Sequence, residues 1–117
     1  MPGFELITER GENGAVRLVF RGELDIATAP QVDEELERVE ADVPRVLILD
    51  LRALEFMDST GLRTVLAADT RAREAGRRLV VVRGEAVERI FSVTHLDQRL
   101  EIVEDLAAAE GQAGSPS

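Results

Sequence analysis

The sequence predicts a single α/β domain with an N-terminal β-hairpin, a mixed sheet of four or five strands, and helices packed on one side of that sheet. Two runs of alternating apolar residues flank Asn13-Gly14, a dipeptide that supplies the positive φ angles of a tight hairpin turn. Strand-like and helix-like segments then alternate, which favours parallel strands joined by right-handed crossovers. The 117 residues are enough for one hydrophobic core and too few for two.

The first half of the chain carries the hairpin and one amphipathic helix. Val16, Leu18 and Phe20 share one face of the second hairpin strand. Thr28 and Gln31 form a capping-box pattern, in which each side chain bonds a free backbone N–H at the start of a helix. Apolar residues then recur at helical spacing, at Val32, Leu36 and Val39.

The second half begins with a strand that we expect to be buried on both faces, since five of the six residues from Val46 to Leu51 are apolar. The helix after "FMDSTGL" ends at Gly76, a natural residue for a helix C-terminus. We expect the domain to span residues 1–110 and the tail 111–117 to be disordered. The remaining elements are a buried strand, a short helix, an edge strand and a last helical turn, in "RRLVVVRG", "EAVERIFSV", "RLEIVED" and "DLAAAE".

Composition argues against several classes of function. The net charge of -9 repels nucleic-acid phosphates. The chain has no cysteine, its 14 basic residues are all arginine, and His95 is its single histidine, so we expect no metal site, cofactor or catalytic centre. No apolar run is long enough to cross a bilayer, and the N-terminus does not resemble a secretory signal. The expected location is the cytoplasm, with neither nucleic acid nor membrane as a partner.

The segment "DSTG" stands where the buried strand meets the next helix, the place where α/β proteins concentrate function. Asp58 is suited to cap the helix, which leaves the hydroxyl of Ser59 free at the first helical position. Gly61 costs a helix about 1 kcal/mol relative to alanine, so its presence indicates a close approach to the backbone. A phosphate on Ser59 would meet free N–H groups at the helix start. A plain capped helix start remains the alternative.

Three other residues are candidates for a place near this corner. Asp25 and Thr28, in "GELDIATA", would lie beside Ser59 if the second strand neighbours the buried one. Arg63 follows Ser59 by four residues, so one helical face would bring it to an added phosphate. The alternatives are an aspartate in a turn, a helix cap and a solvated arginine.

"GELDIATA" followed by "LILDLRALEFMDSTGL" closely resembles the STAS-domain anti-sigma factor antagonists of bacteria, and the resemblance covers nearly the whole chain. It implies a mixed sheet with helices on one side. Ser59 matches the serine that is phosphorylated in the family, Asp58 the acid before it, and Asp25 the upstream aspartate. Thr60 stands beside Ser59, as in some members, so the resemblance leaves open whether Ser59 or Thr60 accepts the phosphate.

The resemblance also implies partners. Members bind an anti-sigma factor that is a serine kinase of the GHKL type, and this binding frees the sigma factor. Phosphorylation of the serine ends the binding, and a metal-dependent serine phosphatase of the PPM type restores it. Three other hypotheses remain: a scaffold component of a larger signalling complex, an accessory subunit of an anion or lipid transporter, and a binder of small ligands at the helix N-terminus.

Overall fold

The structure is a computed structural model that describes residues 3–95 and 98–109. Strands and helices follow one another in the predicted order. The strands are β1 (Phe4–Arg10), β2 (Ala15–Leu24), β3 (Val46–Met57), β4 (Arg78–Val82) and β5 (Ile102–Val103). The helices are α1 (Ala29–Glu40), α2 (Ser59–Glu74) and α3 (Glu85–Thr94), and residues 106–109 form a further helical turn.

The five strands form one sheet in the order β1-β2-β3-β4-β5. β1 runs antiparallel to β2, whereas β2, β3, β4 and β5 are parallel to their neighbours. β3 is therefore the central strand, and every residue from 46 to 51 is buried. The predicted mixed α/β sheet, its N-terminal hairpin and its buried central strand are confirmed.

The hairpin loop is longer than the tightest turn. Four residues separate β1 from β2, and the N–H of Gly11 donates to the carbonyl oxygen of Ala15 over 2.9 Å. Asn13 and Gly14 have φ angles of 63° and 78°, so the dipeptide supplies the positive φ angles that the sequence predicts. The extra length arises because these two residues end a short 3-10 turn that starts at Glu12.

The main core lies on the face of the sheet that α1, α2 and α3 cover. Leu47 and Leu49 of β3 pack there against Val32 of α1, Val65 of α2 and Phe91 of α3. Each such side chain contributes about 1.5–3 kcal/mol by its burial. The prediction of helices on one side of the sheet is confirmed for these three helices.

A second, smaller core occupies the opposite face of the sheet. Val46 and Ile48 of β3 lie there with Val80 and Val82 of β4. Ala109, from the helical turn 106–109, packs against them and is fully buried. The last helical turn therefore covers the face that the three helices leave open.

A buried carboxylate lies in the middle of β3. Asp50 is 2% exposed, and the guanidinium of Arg52 donates to it from Nε over 2.9 Å and from Nη2 over 2.8 Å. Arg17 of β2 donates to the same carboxylate over 3.3 Å. Burial alone would raise the pKa of Asp50, but the hydrogen bonds and charges of the two arginines outweigh it and hold the pKa below its ordinary value. The sequence pattern did not indicate this ion pair.

β3 is longer than the sequence predicts. It pairs with β4 only as far as Asp50 but with β2 as far as Met57. A register shift between Gly22 and Glu23 of β2 interrupts the regular alternation of β3, which hides the second half of the strand from a pattern search. Within the described part of the chain, the segment 52–57 is paired with a strand on one side only.

The connection from α1 to β3 contains a strained residue. Val43 has a φ angle of 51°, and its N–H donates to the carbonyl oxygen of Glu40 over 3.0 Å. A β-branched residue is costly in this left-handed region, where glycine is the usual choice after a helix. The side chain of Val43 is 73% exposed, so packing does not offset the strain.

Among the described residues, no helix has the length and apolar character that crossing a membrane requires. The predicted end of the domain at residue 110 and the predicted tail 111–117 lie outside the described ranges.

Candidate functional site

The ends of β2 and β3 form the corner at which the predicted site lies. Leu24 of β2 pairs with Met57 of β3, and the N–H of Asp58 donates to the carbonyl oxygen of Leu24 over 3.2 Å. Neighbouring strands are about 4.8 Å apart. Asp25 and Asp58 directly follow the two strands, so the parallel register brings both residues to the same end of the sheet. The predicted nearness of Asp25 and Thr28 to Ser59 stays a prediction.

Asp58 caps α2. Its backbone is extended, its side-chain Oδ1 accepts a hydrogen bond from the N–H of Gly61 over 3.0 Å, and its carbonyl oxygen accepts one from Leu62 over 3.0 Å. The helix consequently begins at Ser59. The predicted cap is confirmed, and it places the serine in the first helical position.

The side chain of Ser59 is exposed, and no described residue forms a hydrogen bond with its hydroxyl. Thr60, beside it, is half-buried. A hydroxyl that caps nothing and faces solvent is accessible to a partner, and it lies at the positive end of the α2 dipole. The greater exposure of Ser59 favours it over Thr60 as a phosphate acceptor.

Gly61 is buried beneath this surface. A Cβ atom there would lie 2.7 Å from Cγ and 2.8 Å from the carbonyl oxygen of Leu24, distances that no real side chain tolerates. The close approach that the sequence indicates is thus made by Leu24 of the same chain. This contact seats the first turn of α2 on the end of β2. A direct contact of Gly61 with a partner stays a prediction, and its burial argues against one.

Asp25 forms the turn that leads from β2 into α1. Its Oδ1 accepts hydrogen bonds from the N–H groups of Ala27 over 3.0 Å and of Thr28 over 3.1 Å. Its carbonyl oxygen accepts from the N–H of Ala29 over 2.8 Å. Asp25 is therefore an aspartate in a turn, the alternative that the sequence left open, and it also stabilises the fold. Its second oxygen, Oδ2, bonds to none of the described residues.

The capping box predicted at Thr28 is wrong. The hydroxyl of Thr28 forms no cap with α1; it donates to the carbonyl oxygen of Glu23 and accepts from the N–H of Asp25, both over 2.9 Å. The carboxylate of Asp25 does not replace it, because it bonds the N–H groups of Ala27 and Thr28 in the turn before the helix. Thr28 thus holds the Asp25 turn together, and Gln31 has no capping role with it.

Arg63 is exposed, and it forms an ion pair with none of the described residues. The spacing of four residues puts it on the face of α2 that carries Ser59. Its pairing with a phosphate on Ser59 stays a prediction.

Sequence reasoning missed two exposed apolar residues at this corner. Ile26, next to Asp25, is 74% exposed, and Phe56, which pairs with Glu23 of β2, is 48% exposed. The signal for Ile26 was available, because an isoleucine inside a tight turn has no strand or helix face on which to bury itself. Phe56 gave no such signal, since its outward direction depends on the irregular register of β3.

A cleft of about 800 Å³ lies elsewhere, between the segment 52–55 of β3 and the start of α3. Two arginines line it, but each is paired: Arg52 with Asp50 and Arg83 with Glu104. The cleft does not include Ser59. Within the described ranges, no cluster of three or more acidic or histidine side chains is placed to hold a metal ion.

The fold and the corner define a small α/β domain with an exposed serine hydroxyl at the start of α2. A family model described as the STAS domain matches residues 7–109, and the chain belongs to the STAS family. It is 32% identical over 100 residues to the anti-sigma-F factor antagonist RsfB of Mycobacterium tuberculosis, with 86% of this chain and 82% of RsfB covered. It is 37% identical over 88 residues to the anti-sigma-B factor antagonist of Listeria monocytogenes, with 74% and 77% covered.

The fold is also that of a solved relative. A crystal structure of an anti-sigma factor antagonist from Mycobacterium paratuberculosis superposes with a TM-score of 0.86 at 30% sequence identity, and the match covers 96% of this chain and 95% of that one. The predicted family and fold are confirmed.

Proposed function

We propose that the protein is an anti-sigma factor antagonist, which binds an anti-sigma factor and thereby frees a sigma factor. The observation that carries the proposal is the exposed hydroxyl of Ser59 at the start of α2, the helix that Asp58 caps. The names of the mycobacterial and listerial relatives support it. The proposed place of action is the cytoplasm.

In this proposal the protein is a substrate and a switch, not an enzyme. The partner is a GHKL-type serine kinase, and its ATP site supplies the chemistry. The Oγ of Ser59 forms a bond to the γ-phosphorus while the bond from that phosphorus to the bridging oxygen of ADP breaks. The hydroxyl proton passes to a base on the kinase. A PPM-type phosphatase later hydrolyses the phosphoserine and restores the hydroxyl.

Phosphorylation should leave the fold intact. The phosphate adds about -1.5 to -2 charges at pH 7. At a helix N-terminus, negative charge is favourable by roughly 0.3–1 kcal/mol. Arg63 is exposed, so its pair with the phosphate would add at most about 1 kcal/mol and would be screened by salt.

The partner interface should not survive the modification. The kinase has to cover Ser59 to phosphorylate it, so the phosphoserine would be buried in the same contact. Asp25 and Asp58 already place negative charge at this corner, and a desolvated, unpaired charge costs about 2–5 kcal/mol at an interface. Since each ~1.4 kcal/mol is a factor of ten, binding should weaken about a hundredfold or more.

The test combines phosphosite mapping with binding measurements. The protein is incubated with the cognate kinase and ATP, the modified residue is located by mass spectrometry, and the affinity of each form is measured by calorimetry. Ser59→Ala should fold, bind and resist phosphorylation, and Ser59→Asp should bind weakly. Ser92→Ala is the matched control, because Ser92 is an exposed serine on α3, away from the corner.

Two results would change the proposal. Phosphate on Thr60 with Ser59 unmodified would move the switch by one residue. Undiminished binding of the kinase to the phosphorylated protein would refute the mechanism.

A further inference from the structure

The distribution of exposed apolar side chains singles out the corner at Ser59. Among the described residues, the large apolar side chains that are exposed are Ile26, Val43, Phe56 and Val93. Val43 follows α1 at the opposite end of β3, and Val93 lies near the end of α3. Ile26 lies in the turn that follows β2, and Phe56 is the last residue but one of β3, so both lie at the end of these strands that carries Asp25 and Asp58.

The backbone fixes the position of Ile26. It lies inside the turn that the carboxylate of Asp25 closes by bonding the N–H of Ala27. Its side chain is 74% exposed although isoleucine is among the residues most often buried. The turn therefore presents an apolar group to solvent on a defined backbone rather than on a free loop.

An irregularity in the sheet turns Phe56 outward. Leu54 and Met57 both point into the main core. They are three residues apart, and a regular strand would point two such residues to opposite faces of the sheet. The register shift between Gly22 and Glu23 of β2 absorbs the extra residue. Such irregularities commonly re-aim a side chain near a functional site, and here the side chain that leaves the core is Phe56.

Charge around the pair indicates the character of a partner. Glu23 is the strand partner of Phe56, and Asp25 directly precedes Ile26, so each of the two apolar residues has an acidic neighbour. The Oδ2 of Asp25 bonds to no described residue and can accept a hydrogen bond from outside. The matching surface is apolar at its centre and basic at its rim.

We propose that Ile26 and Phe56 form an apolar docking pair that anchors the kinase-type anti-sigma factor. This inference rests on the proposed function and adds to it a separation of two roles. The pair would determine affinity, and Ser59 would switch it. Buried aromatic and aliphatic anchors commonly dominate the affinity of protein interfaces, with a rim of polar contacts around them.

The test uses serine substitutions of the pair and a matched set elsewhere. Ile26→Ser and Phe56→Ser are compared with Val43→Ser and Val93→Ser, which remove exposed apolar side chains at other places. The probe is the anti-sigma kinase of the source organism that binds the unsubstituted protein. Dissociation constants come from calorimetry without ATP, and kcat and KM from transfer of phosphate to Ser59.

Each substitution in the pair should weaken binding about tenfold, the scale of one lost apolar anchor. KM for phosphorylation should rise by a similar factor while kcat stays within about twofold, because the anchors act in binding and not in the transfer step. The control substitutions should leave both constants unchanged. Ile26→Ser keeps the test independent of folding, since the exposed Ile26 adds little to the core.

The outcomes separate the inference from the proposed function. Wild-type affinity and KM in both Ile26→Ser and Phe56→Ser, with normal phosphorylation of Ser59, would overturn the docking pair and leave the switch standing. Equal weakening by the control variants would also overturn it, since the effect would not be local. Failure of every anti-sigma kinase of the organism to bind the unsubstituted protein would overturn the proposed function and the inference together.

Discussion

Replacing Gly61 by alanine tests whether the close contact with Leu24 is the reason that this position requires glycine. Alanine would gain up to about 1 kcal/mol of helix propensity over glycine. Its Cβ would lie 2.7 Å from Cγ and 2.8 Å from the carbonyl oxygen of Leu24, well inside the ~3.5–4.0 Å of favourable contact. Leu24 is fully buried, and Asp58 holds its carbonyl oxygen by a hydrogen bond, so neither atom can move freely.

Overpacking of this kind costs about 1–3 kcal/mol, and contact with backbone favours the upper part of that range. After subtraction of the propensity gain, we expect Gly61→Ala to lower the free energy of unfolding by about 1–2 kcal/mol. For a chain of 117 residues, an unfolding entropy of about 2.1 cal/mol/K per residue converts this loss to a fall in Tm of about 4–8 °C.

Urea and thermal denaturation followed by circular dichroism would measure the effect. Gly11→Ala is the matched control, because its Cβ would meet nothing nearer than 3.7 Å and its φ of -98° suits any residue. We expect the control to be neutral or stabilised by up to about 1 kcal/mol. A Gly61→Ala protein as stable as its parent would refute the reasoning.

Three further substitutions or conditions test other features. Asp25→Ala should lower the free energy of unfolding by about 1 kcal/mol, because the turn loses its side-chain cap; an unchanged urea midpoint would contradict this role. Val43→Gly should raise the free energy of unfolding by up to about 1 kcal/mol, because it relieves about 1–2 kcal/mol of strain at a positive φ and adds an entropy cost of only about 0.5–1 kcal/mol. A loss of stability would show that the exposed side chain is needed. The pKa of Asp50 is lowered in the folded protein. Its contribution to the free energy of unfolding should therefore be complete above the unfolded-state pKa of about 3.9 and should be lost as the pH falls through the lower pKa of the folded state. In acid titrations, Asp50→Asn should therefore lose less stability than the parent between about pH 4 and pH 2, and parallel curves would contradict the assignment.

Local rules predicted the parts of the fold that depend on neighbouring residues alone. Asn13-Gly14 has the predicted positive φ angles, Asp58 caps α2, and Gly76 follows that helix with a φ of 70°. Each of these features depends on backbone sterics or on a hydrogen bond within a few residues. For the same reason, they could be read without knowledge of the tertiary structure.

Features that depend on pairing between distant segments could not be predicted. Arg52 of the same strand makes two of the hydrogen bonds to the buried Asp50, but the second arginine, Arg17, reaches it only through the pairing of β2 with β3. Thr28 follows the capping pattern, but its hydroxyl bonds the carbonyl oxygen of Glu23 and the N–H of Asp25 instead of the start of α1. The proposal that Ser59 is a phosphate acceptor came from the resemblance to a family, and the residues by themselves left that role open.

The two strands that flank β3 pair with it over different lengths, so the two halves of β3 should differ in their rates of amide hydrogen exchange. Up to Asp50 the strand has partners on both sides, whereas the segment 52–57 is paired only with β2 among the described residues. Amide protons before residue 51 should exchange only on global unfolding, and those that follow by local opening. The strand end that carries the corner thus has fewer backbone hydrogen bonds to break on opening, and Leu54 and Met57 are the side chains that hold it to the core. Protection that appears after residue 51 on complex formation, with no change before it, would map the footprint of that protein directly.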